Sequence, residues 1–382
     1  MRIIDPREER QGYVARMNTL KEEREDYLQV CEQIARVVMP RLTRENIRGS
    51  QKGQALRRNK QQINDLLVDT TPRESARTLS AGLMGGFTSP SRIWYLLSFS
   101  DPEVNDLATG REWRELTQKL TREILAKSNA YRAFHEMDEY VPIFGTGVQW
   151  VDEDEEDVIR CYVLEPGTYY LAASARGSID TLYRDVALTA RQVVERFGYE
   201  NCSRSVRRLF DDRKTWDAMV DIIHVCEPNR AYRGNPVYDD PHTWPFRSSW
   251  FEVSAEGKAV DEDAGLLRDH GEHEQPFMAP RWSTLSTSVY GHGLGLDLLN
   301  TARELQFVAG RHGRVVELLA DPPLMGPAGL SHRRVSQLPG HYTPVPANAA
   351  NFKVEPIIKL DPRALEAVAG YRAGVAAQVR RG

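Results

Sequence analysis

Apolar residues in the first forty positions recur at intervals of three, four and seven, which is the spacing of one face of an α-helix. They are Met17, Leu20, Tyr27, Cys31, Ile34 and Val38. Arg24 interrupts this stripe, and Pro40 ends the predicted helix because proline cannot continue one. The pattern therefore predicts a long amphipathic helix near the start of the chain.

Two further helices are predicted before residue 145. The first has Thr71 as its N-cap and Pro72 at its first helical position, and it ends at a pair of glycines. The segment "TSPSRIWYLLSFSD" (88–101) then predicts a turn and a short strand. A third helix is predicted over about 104–140, where several apolar residues share one side. These residues are Leu116, Leu120, Ile124 and Leu125.

The middle of the chain has the pattern of β-strands. Apolar and polar residues alternate over 145–174, 217–229 and 248–260, and Val, Tyr and Trp are frequent there. A short helix is predicted over 189–198, with Thr189 as its N-cap.

A stretch with three glycines in five residues, "VYGHGLGLDLLNTARELQFVAG" (289–310), begins the last third of the chain. Apolar residues after the glycines share one helical face, and polar residues occupy the other. The apolar positions are Leu294, Leu298, Ala302, Leu305 and Ala309. The pattern predicts a sharp bend followed by a long helix that packs sideways against neighbouring elements.

Two segments complete the pattern. Residues 320–352 contain six prolines and little periodicity, which predicts a long functional loop. A final helix is predicted over 361–382, with Asp361 as N-cap and Pro362 at the first position.

Composition limits the class of protein. The chain has 382 residues and a net charge of −4, so it is not a uniformly basic nucleic-acid-binding protein. Its four cysteines are scattered and form no CxxC pair, which favours reduced thiols in a cytoplasm. No apolar run reaches the length of a membrane span, and the charged start of the chain is unlike a secretory signal.

Three charged segments leave alternatives open. Residues 41–60 carry seven basic residues against one acid, which suits either a solvated loop or a contact with a polyanion. The acidic run 152–157 and the segment "HGEHEQPF" (270–277) hold possible metal ligands. Neither has the spacing of a known metal motif, so solvated polar surface is the simpler interpretation of both.

No enzyme motif is found, and the sequence predicts no cofactor and no metal. The glycines read G-x-G-x-G rather than G-x-G-x-x-G, and no buried strand precedes them, which argues against a dinucleotide site. The chain also contains neither G-x-x-x-x-G-K-[ST] nor G-x-S-x-G. We therefore expect a protein that is not an enzyme.

The order of several segments resembles a known family. These are "RTLSAGLMGGFTSPSRIWYLLSFSD", then "IFGTGVQWVDEDEEDVIRCYVLEPGTYYLA", then "FMAPRWSTLSTSVYGHGLGLDLLNTARELQ" and finally "LADPPLMGP". Over about 60–382 they look like the head-to-tail connecting (portal) proteins of short-tailed, double-stranded DNA phages. The family's usual arginine after Tyr-Gly is His292 here, so no arginine role is carried over. Members usually continue past the final helix, and the sequence leaves open whether this chain does.

The resemblance implies an α+β, elongated subunit that assembles into a ring, typically dodecameric, at one capsid vertex of the virion. Such a ring is the conduit for genome packaging and ejection. The implied partners are further copies of the chain, double-stranded DNA bound without sequence preference, the terminase large subunit, the major capsid protein, the scaffold and tail adaptor proteins. Assembly would take place in the host cytoplasm, with no membrane involved.

The resemblance also implies which residues form each part of the family's subunit. They are a wing (1–185), a first stem helix region (186–217), a clip (218–288), a second stem helix (289–313), a tunnel loop with a wing return (314–360), and the start of the crown or a wing helix (361–382).

Two groups of residues are candidates for function. Residues 301–382 hold eleven basic residues against six acids, and five of their side chains are proposed to face DNA in the channel. They are Arg311, Arg314, His332, Arg333 and Arg334; the alternative is that they form ion pairs between subunits. Trp244, Trp250 and Phe251 are candidates for docking a partner on the clip, and packing in the clip core is the alternative.

Two other functions remain open. One is a head-to-tail adaptor or another ring protein of the virion, and imaging of the particle would distinguish it. The other is an unusual nucleotide hydrolase or nuclease of the packaging machinery, which ATPase and nuclease assays would detect.

Overall fold

The structure is a computed structural model of the chain. It describes residues 6–40, 42, 67–230, 232–234, 237, 240, 243–253, 266–285, 288–320, 324–325, 355–356 and 362–381. Its mixture of helices and sheets confirms the predicted α+β class.

The described residues form helices toward both ends of the chain and strands mainly in the middle. The α-helices are α1 (Pro6–Val38), α2 (Thr71–Gly86), α3 (Pro102–Asp106), α4 (Ala108–Lys127), α5 (Ala130–Phe144), α6 (Ala190–Phe197), α7 (Arg204–Asp211), α8 (Leu294–Asp297), α9 (Leu299–Ala320) and α10 (Pro362–Arg381). The strands are β1 (Val148–Asp154), β2 (Val158–Leu164), β3 (Tyr169–Ala173), β4 (Ile179–Thr189), β5 (Met219–Pro228), β6 (Phe246–Glu252), β7 (Leu266–Glu272), β8 (Phe277–Met278), β9 (Leu324–Met325) and β10 (Glu355–Pro356).

The chain divides into two compact units. Unit 1 comprises Met1–Leu66 and Arg73–Leu299, and unit 2 comprises Leu67–Pro72 and Asn300–Gly382. Within unit 1, an antiparallel five-stranded sheet has the order β3-β4-β5-β6-β7, and a three-stranded sheet has the order β2-β1-β8. Strands β9 and β10 pair with each other in unit 2.

Helix α1 covers one face of the five-stranded sheet, as its apolar stripe predicts. Met17 and Leu20 are buried against Tyr183 and Phe251. Ion pairs join the polar flanks of the helix to the same sheet face: Arg16 contacts Glu227 at 2.7 Å and Lys21 contacts Asp185 at 3.4 Å. Arg247 on β6 binds Glu9 of α1 and, at 2.7 Å, Asp269 of β7.

The other face of this sheet is buried by two different structures. Trp150 of β1 and Phe277 of β8 pack on it near Leu182 and Cys226. Beside them, α6 and α7 cover a second cluster that includes Trp250. Helix α6 begins with a complete capping box between Thr189 and Gln192, as its sequence predicts.

The third predicted helix (104–140) is wrong as one helix, because the structure has three: α3, α4 and α5. The break between α4 and α5 is fixed by a contact distant in sequence. The Asn129 side chain donates to the Cys161 carbonyl at 2.7 Å and accepts from the Cys161 amide at 2.8 Å. The short strand predicted within 88–101 is also wrong. Residues 93–99 are extended, but they pair with no strand among the described residues.

The implied parts of the subunit do not coincide with the two units. The boundary at 185/186 falls within β4, which pairs with β5 along eight residues, and β5–β7 of the clip range share a sheet with β3 and β4. Unit 1 ends at Leu299, inside the range given for the second stem helix. The names wing, stem, clip, tunnel loop and crown stay predictions.

In unit 2, α9 and α10 form a small core in which Leu305 packs against Val375 and Val379. Ala302, Leu305 and Ala309 of the predicted stripe are buried, whereas Leu294 and Leu298 are half-buried and precede α9. Among the described residues, no helix is both long enough and apolar enough to cross a membrane.

Asp69 connects three segments of unit 2. Its carboxylate accepts from the Thr71 amide at 2.9 Å and from Arg372 of α10 at 2.8 Å, and its backbone carbonyl accepts from Gln306 of α9 at 2.6 Å. Burial acts to raise the pKa of Asp69, but the hydrogen bonds from Thr71 and Arg372 outweigh it and lower the pKa.

We expect Asp69→Asn to destabilise unit 2 by about 1 kcal/mol at neutral pH, because a charge-assisted hydrogen bond is lost. A carboxylate with a lowered folded pKa stabilises the fold above its unfolded pKa, and this contribution is lost as the pH falls through the folded value. The free energies of unfolding of the wild type and of Asp69→Asn should be compared by denaturation between pH 7 and pH 3. Their difference should shrink below about pH 4. A constant difference across that range would contradict the assignment.

Candidate functional site

Three short stretches, from two of the segments that carry the family resemblance, meet in unit 1 at the end of α5. They are residues 143–147, 281–282 and 290–295, and we call the place where they meet the glycine junction. The first of these segments lies more than 130 residues before the other two in sequence, so only the fold brings them together.

Glycines are needed here because backbone lies directly against backbone. Gly145 ends α5 with φ +86°, a left-handed conformation that favours glycine. A Cβ atom on Gly293 would stand 2.5 Å from the Gly145 nitrogen, 2.6 Å from the Ile143 oxygen and 2.7 Å from the Pro142 oxygen. Gly291 and Gly295 face the same stretch of backbone at similarly short distances.

Hydrogen bonds hold the three segments in register. The Gly291 amide donates to the Thr146 hydroxyl at 2.7 Å, and the Trp282 amide donates to the Gly145 carbonyl at 2.9 Å. The Tyr169 hydroxyl donates to the Thr146 carbonyl at 3.1 Å, which connects the junction to β3.

Helix α1 reinforces the junction from one side. The Tyr27 ring stacks on Tyr290 with centroids 4.5 Å apart, and the Tyr290 hydroxyl accepts from the Leu171 amide at 3.0 Å. Burial raises the pKa of Tyr290 to about 12, so its hydroxyl stays neutral at physiological pH.

Arg24, which interrupts the apolar stripe of α1, is itself buried. Its guanidinium donates to the carbonyls of Gly167 (2.9 Å) and Tyr169, and it lies 3.9 Å from the centroid of the Tyr170 ring. The arginine therefore ties α1 to the Pro166-Gly167 turn, which belongs to the same segment of the family resemblance as residues 143–147.

This geometry answers whether the glycines bind a phosphate. A phosphate-binding loop presents free backbone amides to a ligand, whereas the Gly291 amide is bonded to Thr146 and Gly293 and Gly295 pack against carbonyl oxygens. The glycines permit close packing, as the sequence predicts. His292, in the place of the family's arginine, is partly exposed and lies 3.3 Å from Asp297.

The five residues proposed to face DNA are only partly described. The Arg311 guanidinium lies 5.1 Å from the Phe307 ring centroid, and Arg314 forms an exposed ion pair with Glu317 at 2.8 Å. Both arginines lie on α9, which follows the glycine junction in the chain. His332, Arg333 and Arg334 lie outside the described residues, as do most of the basic run 41–60 and Asp361.

The three docking candidates have different environments. Trp250 and Phe251 are 2% and 0% exposed and belong to the two cores of the five-stranded sheet, which favours the core-packing alternative for both. Trp244 is half-buried over Gly271, and its indole NH donates to the Val237 carbonyl at 2.8 Å. A docking role for Trp244 stays a prediction.

The acidic residues considered as metal ligands have structural partners. Asp154 accepts from the Glu156 and Asp157 amides and from Arg160 at 2.8 Å, which closes the hairpin between β1 and β2. His270 pairs with Glu272 at 2.6 Å. No group of three potential metal ligands occurs within the described part of the chain.

Sequence reasoning missed a buried polar row inside unit 1. The Arg184 Nε–H donates to His224 Nδ1 at 2.8 Å, and His224 Nε2 lies 2.9 Å from the Ser248 hydroxyl. The Arg184 guanidinium packs on Trp150 and Trp250. Burial lowers the pKa of Arg184 to about 9, and burial together with Arg184 lowers the pKa of His224. The only sequence signal is that both residues occupy inward positions of alternating strands.

Comparison with known proteins identifies the class. Residues 10–381 match the family of bacteriophage head to tail connecting proteins. The chain is 34% identical over 307 residues to the portal protein of Salmonella phage epsilon15, a match that covers 80% of this chain and 54% of that protein. It is 32% identical over 343 residues to the probable portal protein of Bordetella phage BPP-1, which covers 90% of this chain and 59% of that protein.

The chain therefore belongs to the family of bacteriophage head to tail connecting proteins. It spans little more than half the length of the curated relatives it matches. The family confirms the resemblance inferred from the sequence, and the match begins at residue 10 rather than near residue 60. Membership in a family of connecting proteins also confirms the prediction that the chain is not an enzyme.

Proposed function

We propose that this chain is the subunit of a phage portal: a ring, dodecameric by the family resemblance, at one capsid vertex of the virion. Double-stranded DNA passes through the ring during packaging and ejection. The ring docks the terminase large subunit during packaging and tail adaptor proteins afterwards, and it contacts the major capsid protein and the scaffold. Assembly takes place in the host cytoplasm.

The observation that carries this proposal is the match to the family along 10–381, together with two relatives named as portal proteins. The glycine junction supports it, because parts of two of the four segments on which the resemblance depends meet there in one connected structure. Two of the proposed channel residues, Arg311 and Arg314, lie on α9 and are exposed, which is compatible with contacts to phosphates.

The apolar stripe of α9 packs within the chain. In the ring that the family resemblance implies, this stripe is expected to lie beside copies of the same helix. Leu305 of that stripe packs instead against α10 of the same chain. Phe307, on the side of α9 away from Leu305, is 61% exposed, so this side is available to a neighbouring subunit.

Imaging of the purified chain tests the proposal. Negative-stain micrographs and mass photometry should show closed rings with a central hole wide enough for a DNA duplex. Rings without such a hole would favour the second candidate, a head-to-tail adaptor. A protein that stays monomeric at all concentrations would contradict both candidates.

We expect Arg333→Glu with Arg334→Glu to reduce DNA retention in particles while ring assembly stays normal, because these side chains are proposed to face phosphates. For DNA bound to isolated rings, the slope of log affinity against log salt should become shallower by about 0.9 for each phosphate that the ring no longer neutralises. Arg208→Glu with Lys214→Glu, which reverses two exposed charges in unit 1, is the matched control. Normal retention in the first variant would remove Arg333 and Arg334 from the channel.

A further inference from the structure

An apolar groove of about 440 Å³ lies in unit 1 beside the glycine junction, where α1 meets residues 285–296. Pockets that hold small molecules have volumes of about 300–1,000 Å³, so the groove has room for a large side chain. Leu285, which lines the groove, is 73% exposed, so the groove opens to solvent. Its main apolar lining residues are Leu20, Val30, Ile34, Phe144, Tyr290 and Leu296.

The groove also has an acidic rim, and we call it the acidic groove. Glu23 and Asp26 of α1 line it and are exposed. His292, another lining residue, lies 3.3 Å from Asp297, whose side chain is 61% exposed. Among the lining residues that the structure describes there is no lysine or arginine. The groove therefore attracts cations and repels phosphates.

The cations closest to this rim in sequence have other partners inside the subunit. Lys21 pairs with Asp185 at 3.4 Å, and Arg24 is buried on backbone carbonyls. Arg281 donates to two backbone carbonyls at 2.8 and 3.0 Å. None of these three cations forms a described ion pair with Glu23 or Asp26, so the acids are available to a cation from another chain.

A surface with the opposite properties lies on α9. Phe307 is 61% exposed, and Arg303 and Arg311 lie about one helical turn before and after it on the same exposed face. The Arg311 guanidinium lies 5.1 Å from the centroid of the Phe307 ring, so the cation and the ring form one unit. We call these three residues the Phe307 face. It presents a large apolar side chain between two cations.

The acidic groove and the Phe307 face are complementary in shape and in charge. The apolar floor of the groove accepts an aromatic ring, and its acidic rim attracts the arginines on either side of that ring. Aromatic side chains and arginines that fill pockets carry most of the stability of protein interfaces. Opposite charges around such an anchor fix its orientation and exclude other partners.

We propose that the acidic groove of one subunit receives Phe307 of the next copy of this chain in the ring, with Arg303 and Arg311 facing the acidic rim. The inference rests on the proposed function, because a closed ring joins one patch of each subunit to a different patch of its neighbour. It goes further by naming both patches. Arg311 then forms an ion pair between subunits, which is the alternative to its DNA contact. Arg333 and Arg334, which the DNA retention experiment tests, are unaffected by this assignment.

The first test is Phe307→Glu, which places a negative charge where the acidic groove binds. Phe307 is exposed, so the melting temperature of the monomer should not fall. The protein concentration at which half of the subunits are assembled should rise by about 100-fold, because the anchor of the interface is lost. Val316→Glu is the matched control, since Val316 is 43% exposed on the opposite side of α9, and it should leave assembly unchanged. Sedimentation velocity and thermal unfolding measure the two properties.

Charge reversal tests whether the two surfaces pair with each other. Glu23→Lys with Asp26→Lys, and separately Arg303→Glu with Arg311→Glu, should each raise the same concentration by about tenfold or more, because like charges then meet. All four substitutions together should return it to within about threefold of the wild-type value, because opposite charges meet again. Such recovery is not expected if either pair acts only within its own subunit.

A thiol-protection experiment shows whether the groove is filled. The four native cysteines are buried, so the thiol introduced by Leu285→Cys is the accessible one. Its alkylation should be largely lost when rings form. Rings in which it reacts at the monomer rate, normal rings from Phe307→Glu, or no recovery in the fourfold variant would overturn this inference and leave the portal function intact. Failure of the wild-type chain to self-associate at any concentration would overturn both.

Discussion

Replacing Gly293 with alanine is expected to destabilise the protein by about 3 kcal/mol or more, because the added methyl group has no space. Its Cβ atom would lie 2.5–2.7 Å from backbone atoms of Gly145, Ile143 and Pro142, and backbone cannot turn aside as a long side chain does. The glycine junction would have to open, which separates residues 290–295 from the end of α5. Chemical denaturation and proteolysis at the junction measure the effect.

Gly310→Ala and Gly313→Ala are the matched controls. Both glycines lie inside α9, and a Cβ at either position would meet nothing within 4 Å. Alanine there should stabilise the helix by about 0.5–1 kcal/mol, since glycine is a poor helix former. If Gly293→Ala were as well tolerated as these two, the close backbone packing at the junction would be refuted.

The glycine stretch shows what the sequence can predict and what it cannot. The spacing of its glycines is enough to exclude two nucleotide-binding motifs and to predict a bend before a helix. It cannot show that the bend packs on Gly145, because that contact spans about 145 residues and leaves no local periodicity. The order of the family's segments along the chain indicates the class of protein without any of these contacts.

Helical periodicity predicts that a helix forms more reliably than it predicts which face is buried. The stripe of α1 is buried as predicted, and Ala302, Leu305 and Ala309 of α9 are buried too. Leu116 and Leu120 of α4 are exposed, although their pattern is equally regular. Periodicity indicates only that an apolar face is covered, and in a subunit of an assembly the cover can be another chain.

Buried cations are another feature that the sequence could not predict. Arg24 interrupts an apolar stripe, and Arg184 is one polar residue in a strand. Each is buried because its partners come from distant segments: backbone carbonyls and an aromatic ring for Arg24, and His224 with two tryptophans for Arg184. A hydrophobic pattern assigns charged residues to the surface, so it wrongly predicts that Arg24 and Arg184 are exposed.

Arg24→Met is expected to destabilise unit 1 by about 3 kcal/mol, even though methionine matches the length and the apolar surroundings of the site. The substitution leaves the carbonyls of Gly167 and Tyr169 without their buried donor, and it removes the cation beside the Tyr170 ring.

Lys21→Met is the control on the same helix. Lys21 also approaches Tyr170, at 5.4 Å, but its ion pair with Asp185 is partly exposed, so its loss should cost less than about 1 kcal/mol. Urea denaturation of the two variants provides the comparison. Equal effects would mean that burial of Arg24 adds nothing to the attachment of α1, and a larger effect of Arg24→Met would show that the buried arginine holds the first helix on the turn at Gly167.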